Sequence, residues 1–485
     1  MKITTEGNLK EKIPEFYTQT FSLLFFPEDN TFGKNSKSEN HIKIFIDKTE
    51  NIVDISAHIC YNKKSALKSA KIEYSQDRDF AMDVGKLFYA AASEITGICP
   101  PWGIHTGIRP AKTAGDIFEK NATNEEKTIE TLCGGYLMQK SKAALALETY
   151  KNGRAASCES FGSGDYSLYV SIPFCPTKCR YCSFVSFATP RLLGLVPEYV
   201  KKLSEEMKLI GGLAHKMRLK TIYVGGGTPT ALGCESLETV LGAIKENFDL
   251  SHLAEYTVEC GRADTITEKK LELLKSFGAG RISVNPQTLN DEILEKIGRN
   301  HSAKDFFRAF GEARKIGIEN INTDCIIGLA DEPEESMIKT AETLAMLRPE
   351  NITVHALCVK KSAELKFEKA YSPDMPMLCK TLEAIYSILK SAGYRPYYMY
   401  RQKYAAGNLE NTGFCLEGRE CLYNIYMMDE LMTIFGAGAG AMTKIVKNGQ
   451  IERIANYKYP YEYIERDFQI NRENNKEKLK ILEGM

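Results

Sequence analysis

From residue 165 onward the chain repeats one unit, a short β-rich run followed by a segment with apolar residues three and four apart. The runs are SLYVSIPF (167–174), TIYVGGG (221–227), EYTVECG (255–261), RISVNPQ (281–287), INTDCIIGL (321–329) and NITVHAL (351–357). Between them lie VPEYVKKLSEEMKLIGGLAHK, SLETVLGAIKENF, EKKLELLKSFG, AKDFFRAFGEARKIG and EESMIKTAETLAMLR. Strands separated by helices of this length pair in parallel through right-handed crossovers. The expected fold is therefore α/β, a partial (β/α)6 TIM-like barrel whose ligand site sits at the C-terminal ends of its strands.

The flanks read differently. Residues 1–160 carry two β-rich runs, HIKIFID and NIVDISAHICY, then helical stretches around 79–97 and 125–151 broken by PWGIHTGIRP (101–110). They predict an N-terminal α+β accessory domain, with GRAASCESFGSGD (153–165) as the linker into a barrel over 165–360. Residues 361–485 predict a C-terminal, substrate-associated extension rich in Tyr and Gly.

Lys plus Arg and Asp plus Glu both number 63, so no net field draws in a polyanion. Neither nucleic-acid binding nor polybasic membrane attachment is expected. No window approaches the run of about 18 apolar residues that a membrane span needs, and the first residues are charged where a signal peptide would be apolar. A cytoplasmic setting is expected, where the 14 cysteines are read as ligands, redox groups or core residues rather than disulfides.

Eleven of those cysteines are scattered, most among apolar neighbours. The other three, Cys175, Cys179 and Cys182, form a C-x3-C-x2-C array in SIPFCPTKCRYCSF. A structural zinc site needs four ligands, and no second knuckle is present. Three thiolates on one loop suit a 4Fe-4S cluster with one iron lacking a protein ligand. Pro173 and Pro176 stiffen the loop, and Phe174, Tyr181 and Phe184 can wall it from water. The loop directly follows the first barrel strand, so chemistry and fold point to one place.

Other strand ends carry polar residues. GGGTPT (225–230) lacks the Lys of a phosphate-binding loop. Its glycines allow close approach to a ligand, or the segment is a strand-to-helix turn with Thr228 and Thr230 as caps. Glu259, Gln287, Arg299 and Asp324 follow at successive strand ends. Singly each can be structural, Arg299 and Asp324 even a surface ion pair; together they suggest a ligand.

CPTKCRYC followed by GGGTPT, TVEC, RISVNPQ, IGRNH and NTDCIIGL resembles the radical S-adenosylmethionine (SAM) superfamily, within it the oxygen-independent coproporphyrinogen III oxidase group. PWGIHTGIRP, PYYMYRQKYAAGNLENTGF and NIYMMDELMTIFGAGAGA look like its coproporphyrinogen dehydrogenase HemZ branch. The resemblance implies Cys175, Cys179 and Cys182 as ligands of a 4Fe-4S cluster, with SAM on the open iron. It implies Tyr169 against the SAM carboxylate, the Tyr181 backbone on adenine, Gly226, Gly227 and Thr228 along the amino acid, and Glu259 on the ribose hydroxyls. Gln287, Arg299, Asp324 and the backbone of Ala356 would make further SAM contacts, with Ile326 as an apolar face for adenine. No catalytic residue is implied beyond the cluster and SAM.

The implied reaction is one-electron cleavage of SAM to methionine and a 5'-deoxyadenosyl radical, which takes hydrogen from a propionate of coproporphyrinogen III. Two decarboxylations then give protoporphyrinogen IX, with a one-electron donor such as flavodoxin or ferredoxin. The well-described oxidases carry a further Cys two positions after the third, giving C-x-C, where this chain has Cys182-Ser183-Phe184. A Cys followed by an aromatic also suits the related haem chaperones, so haem binding without decarboxylation is an alternative, as is another radical SAM reaction on a tetrapyrrole. Tyr394–Arg401 can stack on a tetrapyrrole or pack as a Tyr-rich strand. His105, His301 and His355 lie near motifs, His355 at the end of the sixth strand.

Overall fold

A computed structural model describes residues 1–26, 39–157, 162, 164–182, 187–359, 363, 374–402, 405, 408–447, 450–465, 473, 476–477 and 480. Ser183 and Phe184 lie outside the described residues. The chain forms two compact units, residues 1–150 with 400–410, and residues 151–399 with 411–485. No helix among the described residues is long and apolar enough to cross a membrane.

The first unit contains a four-stranded sheet in the order β1 (Lys2–Glu6), β2 (His41–Thr49), β3 (Ile52–Tyr61), β4 (Lys64–Glu73). β1 and β2 are parallel, and the other two pairs are antiparallel. Alternation decides its faces. Ile42, Ile44, Ile46, Val53, Ile55, Ala57 and Ile59 are buried in one core with Phe21 and Phe25 of α1 (Glu15–Phe25) and Val84 and Phe88 of α2 (Phe80–Thr96). The Asp79 side chain caps α2 by accepting from the amides of Ala81 and Met82. Alternation in HIKIFID and NIVDISAHICY marks β2 and β3, whereas KSALKSAKIE has few apolar residues to mark β4 as a strand.

α3 (Pro110–Lys120), α4 (Glu125–Tyr136) and the start of α5 (Lys140–Ser157) complete this unit. PWGIHTGIRP supplies buried Trp102, Ile104 and His105 here, and residues 400–410 supply Arg401 and Glu410. Glu410 accepts from Trp102 Nε1 and Lys142 Nζ, both at 2.6 Å, and Arg401 donates to the His105 carbonyl while lying over the Trp102 ring. Burial, with the neighbouring Arg401 charge, lowers the His105 imidazole to about 3, so this ring is neutral.

The second unit is built on the expected alternation. β5 (Asp165–Ile172), β6 (Arg218–Gly226), β7 (Glu255–Glu259), β8 (Arg281–Ser283), β9 (Asn320–Ile327) and β10 (Asn351–Ala356) pair in parallel and in chain order. The short α6 (Pro190–Leu193) follows the cysteine loop. The crossovers are α7 (Val196–Leu213), α8 (Cys234–Asn247), α9 (Glu268–Ser276), α10 (Asp291–Lys296) with α11 (Ala303–Ile316), and α12 (Glu334–Leu347). Near-continuous burial of Tyr166, Leu168, Val170, Ile222, Val224, Val258, Ile282, Ile321, Ile352 and Val354 is what a parallel sheet covered on both faces requires. This is the partial TIM-like barrel expected from the sequence.

The C-terminal extension enlarges the same sheet. Beyond α13 (Met375–Ser391), β11 (Arg395–Arg401) lies beside β12 (Glu410–Cys415), which runs antiparallel to β10. After α14 (Leu422–Asp429), β13 (Thr433–Ala437) joins β5 in parallel, followed outward by β14 (Met442–Lys447) and β15 (Gln450–Ala455). The GAGAG turn after β13 is pinned by buried Glu206, which accepts from the Gly438 amide, Asn456 Nδ2 and the Tyr463 hydroxyl of α15 (Pro460–Glu465). Gly438 needs its positive φ and small size, since a Cβ there would stand 2.6 Å from the Ser171 carbonyl.

Candidate active site

The cysteine loop leaves the end of β5 and is fastened from three sides. The Cys175 amide donates to Phe187 O, the Phe187 amide to Pro173 O, and the Cys182 amide to Cys179 O at 3.0 Å. The Arg180 amide and guanidinium donate to Ile297 O and Lys296 O of the turn between α10 and α11. Buried Arg262, just past β7, is the third anchor. Its guanidinium donates to Thr177 O, Thr177 Oγ1 and Cys179 Sγ while Asp264 holds its other edge at 3.0–3.1 Å. An N–H donor aimed at a thiolate stabilises its charge. Arg262 is not among the residues expected from sequence, and its only local signal is its place three residues after Glu259, at a strand end.

Gly227, just past the end of β6, presses against this loop. A Cβ on Gly227 would lie 2.5 Å from Phe174 O and 3.0 Å from Cys175 Sγ, and one on Gly225 would lie 2.9 Å from the Glu259 carboxyl carbon. Gly226 has φ +113°, which L-residues rarely adopt. Thr228 and Thr230 make no capping bond: Thr228 Oγ1 faces Cys175 Sγ at 3.4 Å and Thr230 Oγ1 bonds Thr265 Oγ1. The caps are therefore not formed, and the space beside Gly225 and Gly227 is filled by Glu259 and by the cysteine loop. Gly227→Ala is expected to push the loop away from β6 and reduce iron uptake several-fold at unchanged helical content, checked by iron assay and circular dichroism.

The polar strand-end residues are brought together. Tyr223 donates to Glu259 Oε1 at 2.7 Å, and Asn285 Nδ2 donates to Asp324 Oδ2 at 2.7 Å. His355 Nε2 stands 3.7 Å from the same Asp324 oxygen. Gln287 holds φ +67°, a left-handed conformation unusual for a non-glycine residue. Its backbone is fixed between the Asp324 carbonyl and the Ile326 amide. Arg299 is no surface ion-pair partner: it is buried and donates to the carbonyls of Gly261 and Asn285. Burial opposes its charge, but Tyr181 and Cys179 beside it raise its pKa, so it remains a cation. His301 precedes the Ser302 cap of α11, and burial with the Arg299 charge lowers it to about 4.

Tyr181 joins Ile326, Leu329, Leu357, Ile293, Leu294 and Ile297 in one apolar cluster. The Ala356 amide donates to Asn411 Oδ1 at 3.0 Å, so a ligand contact at that backbone falls to its carbonyl. Tyr169 lies in a stack with Tyr223 and Tyr423, their rings 4.5–6.3 Å apart and within 25° of parallel. Tyr423, on α14, was not singled out from sequence. Tyr397 is buried and Tyr398 pairs with Thr353 Oγ1, so these two residues of the Tyr-rich segment pack as a strand.

Burial, reinforced by Asp324, raises the Glu259 carboxyl to about 7 against the opposing hydrogen bonds from Tyr223 and the Gly226 backbone. Asn285 Oδ1, Gln287 Oε1, Arg299 Nε and Ser283 Oγ are buried with no hydrogen-bond partner among the described residues. Unsatisfied groups gathered at one barrel mouth are what a polar ligand would satisfy. Three thiols on one anchored loop, a glycine strand end without room for a Cβ and an apolar slot at Tyr181 and Ile326 fit an iron–sulfur cluster with a bound nucleoside.

A sequence model of the Radical SAM superfamily matches residues 169–344. The chain is 34% identical over 483 residues to the oxygen-independent coproporphyrinogen-III oxidase-like protein HemZ of Bacillus subtilis, covering 96% of this chain and 95% of that one. It is 32% identical over 308 residues to the haem chaperone HemW of the same organism, covering 61% and 77%. The structure resembles that of Escherichia coli coproporphyrinogen III oxidase, HemN, with a TM-score of 0.54 and 22% identity over 66% of this chain and 72% of that one.

Proposed function

Because this chain belongs to the radical SAM superfamily, in the group of coproporphyrinogen-III oxidase-like proteins, its cofactors are a 4Fe-4S cluster and SAM, and we propose that it converts two propionates of coproporphyrinogen III to vinyl groups. Each conversion removes one hydrogen atom, one carbon dioxide and one electron, so an electron acceptor is needed as well as the donor that reduces the cluster. The observation that carries this reading is that identity to the oxidase-like relative extends over 96% of the chain, the first unit included, whereas likeness to the chaperone covers 61%.

Cys175, Cys179 and Cys182 would hold the cluster, which with SAM supplies the one-electron chemistry. The remaining work belongs to the protein. Arg262 orients Cys179, and the strand end at Gly225–Gly227 lets the backbone approach the ligand. Glu259 accepts hydrogen bonds from ribose hydroxyls; Gln287, Arg299 and Asp324 meet other polar groups. Tyr181 and Ile326 take the adenine, with Ala356 beside them, while Tyr169 meets the ligand carboxylate and backs onto the tyrosine stack that excludes water.

The Glu259 assignment has a pH signature. A carboxylate accepts two hydroxyl donors better than a carboxylic acid does, so SAM binding should tighten as pH rises through about 7. Glu259→Gln is expected to weaken SAM roughly tenfold or more, hydrogen bonds to a charged group contributing about 1.5–3 kcal/mol. It should also flatten the profile, as calorimetry from pH 6 to 8 would reveal.

The function is tested by anaerobic incubation of the cluster-loaded protein with SAM, reductant, an electron acceptor and coproporphyrinogen III. Loss of two carboxyl groups with release of 5'-deoxyadenosine supports the reading. SAM cleavage with an unchanged porphyrinogen sinks that substrate, and stoichiometric haem binding without turnover favours the chaperone.

A further inference from the structure

The first unit carries a second group of metal-ligating side chains, on the sheet face opposite its core. β2, β3 and β4 align His41 with Cys60 and Cys60 with Ser65, and His58, two residues before Cys60, shares their face. One donor atom each from His41, His58 and Cys60 lies within 4.8 Å of the other two. All three residues are half-buried, so a dissolved ion can reach them.

The Cys60–His58 spacing is that of two ligands on one metal. With zinc–sulfur and zinc–nitrogen bonds of about 2.3 and 2.0–2.1 Å, the edge of a tetrahedron between sulfur and nitrogen is about 3.5 Å. Cys60 Sγ and His58 Nε2 are 3.5 Å apart. His41 has the supporting contact metal-bound imidazoles commonly make: Nδ1 bonds the Glu39 carbonyl at 3.2 Å, which fixes the tautomer that leaves Nε2 its lone pair. Ser65 Oγ stands 2.8 Å from His58 Nε2 and 3.3 Å from Cys60 Sγ, a small polar group beside the fourth position. Elsewhere this face presents Lys43, Asp54, Ser56 and Lys71, which offer no soft donors. Two imidazoles and a thiolate select zinc over magnesium or calcium.

We propose that His41, His58 and Cys60 bind one zinc ion, with water as the fourth ligand. None of the three belongs to the cysteine loop, so the site stands or falls apart from the radical chemistry.

The test uses the full-length protein already loaded with its iron–sulfur cluster, so that the loop cysteines are engaged. It is mixed with zinc chloride under anaerobic conditions, desalted and assayed for both metals. About one zinc per chain is expected in the parent, and near none in Cys60→Ser or His58→Ala, with iron unchanged in all three. Cobalt(II) should give a thiolate charge-transfer band in the parent that Cys60→Ser lacks. The melting temperature of the zinc-free variants, on a solvent-facing surface, should match the zinc-free parent and so separates ligand loss from misfolding; His41→Gln serves if one of them melts early. Equal zinc in parent and variants, no retained zinc, or zinc retained only as iron is lost would each overturn the proposal.

Discussion

Alanine at Cys179 is expected to leave a folded chain that takes up no iron. Of the three loop thiols Cys179 is the buried one, with Arg262 donating to its sulfur and Arg299 close by, so its loss removes a ligand from the protected side of the loop. After reconstitution with iron and sulfide the parent should carry about four irons per chain and the variant only background. SAM cleavage should fall by more than about 100-fold, since losing even outer partners of a metal site costs about 10–100-fold. Cys260→Ala is the control. That thiol follows Glu259 in the chain, is fully buried and donates to the Val258 carbonyl, a packing contact. Iron content should be unchanged there; equal loss in both variants would contradict the ligand assignment.

Lys142→Met should produce the largest loss of stability. Lys142 and Glu410 are 2% and 0% exposed and 2.6 Å apart, and removing one partner of such a pair costs about 3–5 kcal/mol because the other charge stays buried. Burial alone would raise the Glu410 carboxyl, but the Lys142 ammonium and the bonds from Lys142 and Trp102 hold it below the ordinary range. The sign follows from that depressed value. The pair's contribution is complete above the unfolded glutamate pKa and is lost as pH falls through the folded one. In Lys142→Met burial of Glu410 is opposed only by the Trp102 hydrogen bond and the nearby Arg401 charge, so its folded-state pKa rises above the parent's. The variant's deficit should then be smaller at pH 5 than at pH 8. Adding Glu410→Gln, which keeps an acceptor for Trp102, should recover most of the loss at pH 8 in thermal unfolding.

The barrel was legible because each β-rich run and each helical face carried its own periodicity, and the helices fall within a few residues of the expected segments. The position of β13 was not. TIFGAGAGA has no alternation that marks a strand, and only its pairing with β5, more than 260 residues away, makes it part of the barrel sheet. Trp102 and Glu410 pose the same difficulty: both motifs were visible, but no local pattern says that one supplies the acceptor for the other. At the site, side chains with a single chemical purpose were readable from spacing, as with the three cysteines. Arg262 and Tyr423 were not, because their roles depend on which neighbours the fold brings to them.

The proposed reaction begins with hydrogen removal from a propionate by SAM-derived chemistry, and isotope transfer reports on that step. Coproporphyrinogen III deuterated at the propionate carbon next to the ring would be incubated anaerobically with the loaded protein, SAM, reductant and an electron acceptor. Deuterium is expected in 5'-deoxyadenosine, with one vinyl group formed per label transferred. Unlabelled 5'-deoxyadenosine beside an unchanged porphyrinogen would contradict it.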